Sequence, residues 1–327
     1  MTRSIEKDIT VIIPSRIYDQ NLSHCIKYIR KYYRNIFIFI VLDKFQKFKK
    51  DKKIKILISG NKSIGLKRNL AVKYCKTKFV CFIDSDAYPK SRWLDDVHKI
   101  FKTYKNAGIV GGPNLSPKTS NIEKKLVSRS RKLPFVTLNT VTKNDNENKN
   151  LSVNFLPSCN MIIKTSLYKK ANGMHDGLYS GEEISLNKNI KKLGYEIIFC
   201  PSIFVFHKDR NFKHFARQRF VYGSTGLRTF LKFPCLETSL LLISALPLLF
   251  IISFPLIFFI KFYFIIYIFG LISITTISLI SAFKINYSTF FFKSFKLILI
   301  SIFMPGIGFI SSLLLKDSTI KKLYTQK

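Results

Sequence analysis

Short apolar runs alternate with mixed stretches up to about residue 232, and from Ser239 onward the chain turns almost purely apolar. The first run, Asp8-Ile9-Thr10-Val11-Ile12-Ile13-Pro14-Ser15, reads as a buried parallel strand that proline stops at a loop. A helix is expected over about 21–33 and strands over 36–42 and 54–58. A further helix is expected over about 64–75, with Leu66, Leu70, Ala71 and Tyr74 on one face. The next strand, Phe79-Val80-Cys81-Phe82-Ile83, ends on Asp84-Ser85-Asp86. Pro89 and Ser91 open a helix to about Tyr104, and Ile109-Val110 is a short strand stopped by Gly111-Gly112-Pro113. Residues 118–152 begin basic and helical, then enter the polar run 143–148, which reads as a flexible loop, either a lid or binding element or simply disordered. A strand near 155–163, a helix over 184–193, strands over 196–200 and 203–207, and a basic aromatic helix over 211–230 follow. This alternation predicts an α/β domain over 1–232 with a mostly parallel sheet. Ligands of such sheets bind at the carboxyl ends of strands, so Asp43 and the Asp84/Asp86 pair are expected to face one crevice.

Residues 233–327 read as a membrane region. Crossing a bilayer takes about 20 apolar residues, and 239–260 and 262–283 both satisfy this. Only Lys261 separates them, which puts it at the far interface and returns Lys284, Lys293 and Lys296 to the starting side. A third stretch, 297–315, is interrupted by Pro305-Gly306-Ile307-Gly308 and either spans or forms a broken, re-entrant segment. If it spans, Lys316, Lys321, Lys322 and Lys327 lie outside, against the positive-inside trend.

Charge adds a partner class. Fifty-four Lys and Arg against 19 Asp and Glu give a formal net charge of +35. Lys, Ile, Asn, Phe and Tyr are abundant together, as in chains from AT-rich genomes, and this accounts for part of the excess. Whatever its origin, the charge suits an anionic cytosolic leaflet. Nucleic acid is not an expected partner, because no recognition motif accompanies the charge. The six cysteines, at 25, 75, 81, 159, 200 and 235, form no CxxC pair and read as reduced thiols of a cytosolic domain. The charged start runs straight into a strand, and no signal peptide is expected. His24, His98, His175 and His214 show no zinc-site spacing.

The candidate chemistry begins at Asp84-Ser85-Asp86. Two carboxylates one residue apart on a turn after a buried strand can share a hard cation and a ribose. Mg²⁺ or Mn²⁺ takes one or two protein carboxylates and fills its remaining positions with water and phosphate oxygens. Such a metal offsets charge on a leaving diphosphate.

Val11-Ile12-Ile13-Pro14-Ser15, Asp43, Gly65-Leu66-Lys67-Arg68-Asn69, Phe82-Ile83-Asp84-Ser85-Asp86, Gly181-Glu182-Glu183 and His207 follow one another in a fixed order. This ordered set resembles the family 2 inverting nucleotide-sugar glycosyltransferases of GT-A fold, over about the first 230 residues. With the apolar tail, the chain is most similar to membrane-bound bacterial enzymes of exopolysaccharide assembly, such as those that build succinoglycan. The resemblance implies that Pro14, Ser15 and Asp43 line the nucleotide pocket, with Asp43 facing the base. It implies that Arg68 helps hold the donor, that Asp84 faces the ribose and that Asp86 ligates the metal. His207 is expected to ligate the metal or contact the diphosphate.

Glu182-Glu183 is the expected catalytic pair. An inverting transfer needs a carboxylate to take the acceptor's proton, worth about 10²–10⁴ in rate. The family usually has Glu-Asp here with the second residue as base, so the role falls on Glu183, with Glu182 as the alternative. The stretch Arg217-Gln218-Arg219-Phe220-Val221-Tyr222-Gly223 stands where processive synthases carry Gln-x-x-Arg-Trp. The missing motif favours one sugar per event.

The expected protein is thus a multi-pass enzyme of the bacterial inner membrane with a cytosolic catalytic domain. Its donor is a nucleotide-diphosphate sugar, with a UDP-sugar expected, and its acceptor a polyprenyl- or lipid-linked glycan. A non-catalytic, membrane-anchored protein that only binds a sugar nucleotide or a partner is the alternative, favoured by the atypical Glu183.

Overall fold

The chain was examined as a computed structural model, which describes residues 2–47, 51–119, 121–137, 150–175, 181–285 and 290–315. The polar run 143–148 and the tail lysines Lys316, Lys321, Lys322 and Lys327 lie outside the described residues. Internal contacts divide the chain into two compact units, Met1–Pro117 with Thr140–Lys208, and Lys118–Asn139 with Asp209–Lys327. Leu126, Val127, Leu133, Val136, Phe212 and Phe215 share a core with Ala282, Ile285, Leu297, Ile298 and Ile302, which draws 118–139 and 209–232 to the C-terminal helices.

The strands are β1 (Ile9–Pro14), β2 (Phe37–Leu42), β3 (Ile54–Ile58), β4 (Phe79–Ile83), β5 (Ala87–Pro89), β6 (Ala107–Gly111), β7 (Asn114–Leu115), β8 (Leu151–Val153), β9 (Asn160–Lys164), β10 (Glu196–Phe199) and β11 (Val205–His207). Eight of them form one sheet in the order β3-β2-β1-β4-β9-β6-β10-β8, and β5-β11-β7 form a second. The β1–β2, β2–β3, β1–β4 and β6–β10 pairs are parallel, while β9 runs antiparallel between β4 and β6. The mostly parallel sheet is as expected, but the 203–207 strand joins the small sheet.

The first eight helices are α1 (Thr2–Asp8), α2 (Gln20–Tyr32), α3 (Ile64–Tyr74), α4 (Val97–Thr103), α5 (Ile122–Ser130), α6 (Pro134–Thr137), α7 (Thr165–Lys170) and α8 (Glu182–Lys192). Strand side chains alternate in direction. Val11, Ile13, Ile38, Ile40 and Cys81 share one core with Leu22 and Ile29 of α2 and Val97 of α4. Ile12, Phe39, Val41, Val80 and Phe82 share the other with Ala71 and Val72 of α3, Leu167 of α7 and Leu186 of α8. Burial on both faces is why the central strands read as unbroken apolar runs. The helix expected from Ser91 begins only at Val97, because turns containing Arg92 at φ 60 come first and bury Trp93 and Leu94. All six cysteines are free, and Cys25, Cys75, Cys81 and Cys200 are buried.

One helix face departs from the apolar pattern. The buried side of α3 carries Gly65, Lys67, Arg68, Ala71 and Val72, while Tyr74 is exposed and Leu66 and Leu70 are half-buried. Of the residues expected on one face, Ala71 lies in the core and Leu70 packs partly against it, while Leu66 is half-buried and Tyr74 is exposed. Two cations point inward because a carboxylate awaits each of them.

In the second unit, α9 (Phe212–Lys232) is followed by α10 (Leu236–Ile243), α11 (Leu246–Ile252), a 3₁₀ turn (Phe254–Phe258), α12 (Tyr263–Ile285) and α13 (Phe291–Leu314). Helices α12 and α13 are long and apolar enough to cross a membrane. The stretch expected to span at 239–260 is not one helix. Pro247 starts α11 and Pro255 lies in the 3₁₀ turn, so each interrupts the run. The broken segment still runs back along α12, with Phe250 stacked on Tyr267 at 5.1 Å and Ser253 hydrogen-bonded to Tyr263.

The stretch around Pro305 is continuous. A Cβ at Gly223 of α9 would lie 1.8 Å from the Pro305 carbonyl oxygen, and one at Gly308 would lie 2.0 Å from that of Phe220. Backbone-to-backbone packing of this kind is the small-residue contact typical of apolar helices, and it offsets the cost of an internal proline. Gly308→Ala is therefore expected to force α9 and α13 apart and cost roughly 1–3 kcal/mol. Gly226→Ala should be near neutral, since its nearest neighbour, Leu241 Cβ, is 3.4 Å away. Thermal unfolding of the two variants in detergent checks this, and equal losses would refute the packing argument.

Candidate active site

The chain order places the site. Strands β1, β2 and β3 step outward, and β4 returns to the other side of β1, so the strand order reverses between β1 and β4. The carboxyl ends on either side of such a reversal open a crevice. Pro14 closes β1 and is buried, and Ser15 follows, its N–H donating to the Val41 carbonyl at 2.9 Å. Asp43 follows β2, and Asp84 and Asp86 follow β4.

Helix α3 reaches this edge from below. Lys67, fully buried, donates to the Ser15 carbonyl at 2.5 Å and to Oδ1 of Asp43. Arg68, also buried, donates to Oδ1 of Asp84 at 2.6 Å and lies over the Phe82 ring. Arg68 thus meets the site through Asp84. Lys67 had no role in the sequence reading. Its signal was available: Lys67, Arg68, Ala71 and Val72 fall on one helical stripe.

The small sheet brings His207 over. Strand β11 pairs antiparallel with β5 so that His207 stands opposite Ala87, and the Lys208 N–H donates to the Asp86 carbonyl at 3.1 Å. His207 Nε2 lies 3.4 Å from Asp86 Oδ1 and 3.6 Å from Asp84 Oδ2. Its Nδ1 is 3.2 Å from the Lys208 carbonyl. The Lys208 carbonyl and the two carboxylates all only accept, so each ring nitrogen faces an acceptor, and Nε2 is the atom that a cation between the carboxylates would take as its ligand. Ligand atoms of Asp84, Asp86 and His207 all lie within 4.8 Å of one another. Two oxygens and one imidazole nitrogen suit Mn²⁺, and the carboxylates suit Mg²⁺.

Glu182 and Glu183 open α8, where the helix macrodipole favours acids. Their surroundings separate them. Glu182 is buried and accepts the Gly65 N–H at 3.4 Å, at the start of α3. A Cβ on Gly65 would come 2.9 Å from the Glu182 Cβ, so only glycine lets the two helix starts meet. Burial first, then the charge of Glu183, push the Glu182 carboxyl up to about 7. Glu183 is half-buried, and burial followed by the neighbouring Asp84 raises its carboxyl, against its own N–H, Arg68 and the Ser158 N–H. Both acids feel Arg68, but Asp84 acts on Glu183, while Glu182 braces two helix starts through Gly65. Cys159 joins the same cluster, and burial together with Asp84 holds its thiol protonated.

Residues 10–171 match the model of glycosyl transferase family 2. The chain belongs to the family 2 glycosyltransferases, and its α/β unit is of the GT-A class. Among individual proteins, it is 23% identical over 175 residues to the pre-mycofactocin glycosyltransferase of Mycobacterium tuberculosis, strains CDC 1551 and H37Rv. That alignment covers 51% of this chain and 35% of the relative, so the chain spans about a third of the curated relatives it matches. Similar solved structures include S. aureus TarS 1-349, at TM-score 0.42 and 15% identity over 65% of this chain and 64% of that one. The same protein in complex with UDP-GlcNAc gives 0.43 and 15% over 67% and 66%. GalNAc-T7 with UDP, GalNAc and Mn²⁺ gives 0.46 and 12% over 62% and 43%.

The raised Glu182 carboxyl has a consequence for stability. Its folded-state value lies above its unfolded one, so the folded form holds the proton more tightly. Stability is therefore greater at low pH and falls as pH rises from the ordinary carboxylate range to about 7. Glu182→Gln keeps an acceptor for the Gly65 N–H and removes this slope. Melting temperatures read from about pH 5 to about pH 8 should flatten, with the variant gaining on the native protein at the alkaline end. A variant as pH-sensitive as the native chain would sink the assignment.

Proposed function

We propose that this chain is an inverting, non-processive transferase that moves a sugar from a nucleotide-diphosphate donor, a UDP-sugar, to a lipid-linked glycan. The observation that carries it is the joining, at one strand-order reversal, of Asp43, the Asp84/Asp86/His207 cluster and Glu183. Pro14, Ser15 and Asp43 line the nucleotide end. Asp84 and Asp86 with His207 would hold a divalent cation, Mg²⁺ or Mn²⁺, which when bound offsets the charge of the leaving diphosphate. Glu183 takes the proton of the acceptor hydroxyl as its oxygen attacks the anomeric carbon. The bond from that carbon to the diphosphate oxygen breaks on the opposite face, and its electron pair leaves with the nucleoside diphosphate. The raised Glu183 carboxyl makes it a stronger base than an ordinary carboxylate, and its extra methylene relative to Asp lengthens its reach.

The second unit supports a membrane address and a lipid acceptor. Exposed Phe264, Ile266 and Phe269 line α12, and Phe292 is exposed at the start of α13. Arg129 of α5 donates to the Ile285 carbonyl at 3.1 Å, so the basic α5 lies at the same end as Lys284, Lys293 and Lys296. With Lys125 and Lys132 these form a cationic collar beside Phe283, Phe291 and Phe292, the composition that seats on an anionic cytosolic leaflet. The expected place is the bacterial inner membrane, with the α/β unit on the cytosolic face and polysaccharide assembly as the process served.

Detergent-purified protein, given nucleotide sugars, Mn²⁺ or Mg²⁺ and membrane lipid extract, should release a nucleoside diphosphate. Asp86→Ala is expected to abolish metal-dependent release. Glu183→Gln should keep donor binding and lose about 10²–10⁴ in transfer. A protein that binds donors but turns none over with any acceptor would favour the non-catalytic reading.

A further inference from the structure

Lys67 stands in an unusual place for an ammonium. It is fully buried, on a helix whose inward face otherwise serves the core, and its side chain ends between the Ser15 carbonyl and Oδ1 of Asp43. The Asp43 side chain keeps about a fifth of its surface open, at 22%. The Asp43 N–H donates to the Arg16 carbonyl at 3.1 Å, which fixes the backbone as well. The carboxylate is thus held from behind with one oxygen engaged and Oδ2 left as the principal acceptor for a base.

That arrangement distinguishes bases by their donors. Guanine presents two adjacent N–H groups, at N1 and N2, and these match both oxygens of a carboxylate at once. Uracil presents a single N–H, at N3, flanked by carbonyls, and needs one oxygen. Cytosine offers an acceptor at N3 and meets a carboxylate there with repulsion.

We propose that Lys67 sets the base preference of the donor pocket: its charge-assisted bond to Oδ1 of Asp43 weakens that oxygen as a second acceptor, so Oδ2 is the stronger one and the single N–H of uracil is favoured over the paired N–H groups of guanine. This rests on the transferase reading, in which Asp43 faces the base. Lys67 touches no substrate, so it is a positioning residue that acts through Asp43.

The test uses the full chain in detergent and measures UDP and GDP affinities by calorimetry in the native protein, Lys67→Met, Asp43→Asn and the double variant. The native protein should prefer UDP by about tenfold or more, the worth of one hydrogen bond to a charged group. Lys67→Met frees both carboxylate oxygens, and the UDP/GDP ratio should fall by about fivefold or more, with weaker UDP binding. In the Asp43→Asn background, Lys67→Met should not change the ratio further, as expected if Lys67 acts only through Asp43. An unchanged ratio in Lys67→Met beside native-like UDP preference overturns the inference and leaves the transferase reading standing. A native protein that binds neither nucleotide overturns both. If Lys67→Met fails to fold, Lys67→Gln takes its place: a fallen UDP/GDP ratio supports the inference, and a native ratio overturns it.

Discussion

Helix α3 carries two adjacent cations into the interior, Lys67 toward Asp43 and Arg68 toward Asp84. Each carboxylate lies just past the end of a parallel strand, and each cation is buried to about the level of a core aliphatic. Burying a charge costs several kcal/mol unless a partner and hydrogen bonds meet it, and removing one partner of such a pair costs about 3–5 kcal/mol. The pairs therefore hold the carboxyl edge of the sheet and the helix as one piece. Both pairs engage Oδ1 of their carboxylate. Asp84 Oδ2 lies toward His207, at 3.6 Å from its Nε2.

From this anchor the remaining site follows by register. Strand β9 enters antiparallel beside β4 with Asn160 opposite Ile83, which sets Ser158 and Cys159 next to the Asp84 turn. The Trp93 indole donates to Asn160 Oδ1 at 2.9 Å, and Asn160 in turn donates to the Gly112 and Ile203 carbonyls. This buried polar hub ties the main sheet to the start of the small sheet, and the small sheet delivers His207. Polar networks of this kind specify geometry only when satisfied. Asn160 is satisfied on both ends, so His207 is held by more than its own strand.

The central strands and the order of motifs were legible in the sequence because the sheet is buried on both faces, whereas the short β5, β7 and β8 carry too few residues to show a pattern. Continuous apolar runs ending in Asp leave little choice of element or direction. The inward face of α3 follows the helical stripe of Lys67, Arg68, Ala71 and Val72, but hydropathy alone ranks its two cations outward. What reverses the usual rule is the partner, and Asp43 and Asp84 lie 24 and 16 residues from their cations in sequence. Helix-period counting sees one helix at a time and has no access to such pairs. The separation of Glu182 from Glu183 was hidden for the same reason. Two adjacent acids at a helix start look alike until one is found against Gly65 of a helix 117 residues away.

The apolar C-terminal part reverses the lesson about proline. Pro247 and Pro255 break a run that composition alone makes long enough to span, while Pro305 leaves α13 intact. The difference lies in what faces each residue. Gly223 of α9 lets the Pro305 backbone approach, and Gly306 admits the Leu248 side chain on another side. A helix with neighbours on two sides can keep its axis where one turn lacks its hydrogen bond, because dispersion contacts along the rest of the seam hold it straight. A proline in an apolar run is therefore read correctly only with the small residues on the helices that flank it. In this chain that small residue, Gly223, sits within a helix that composition alone assigns to the soluble part.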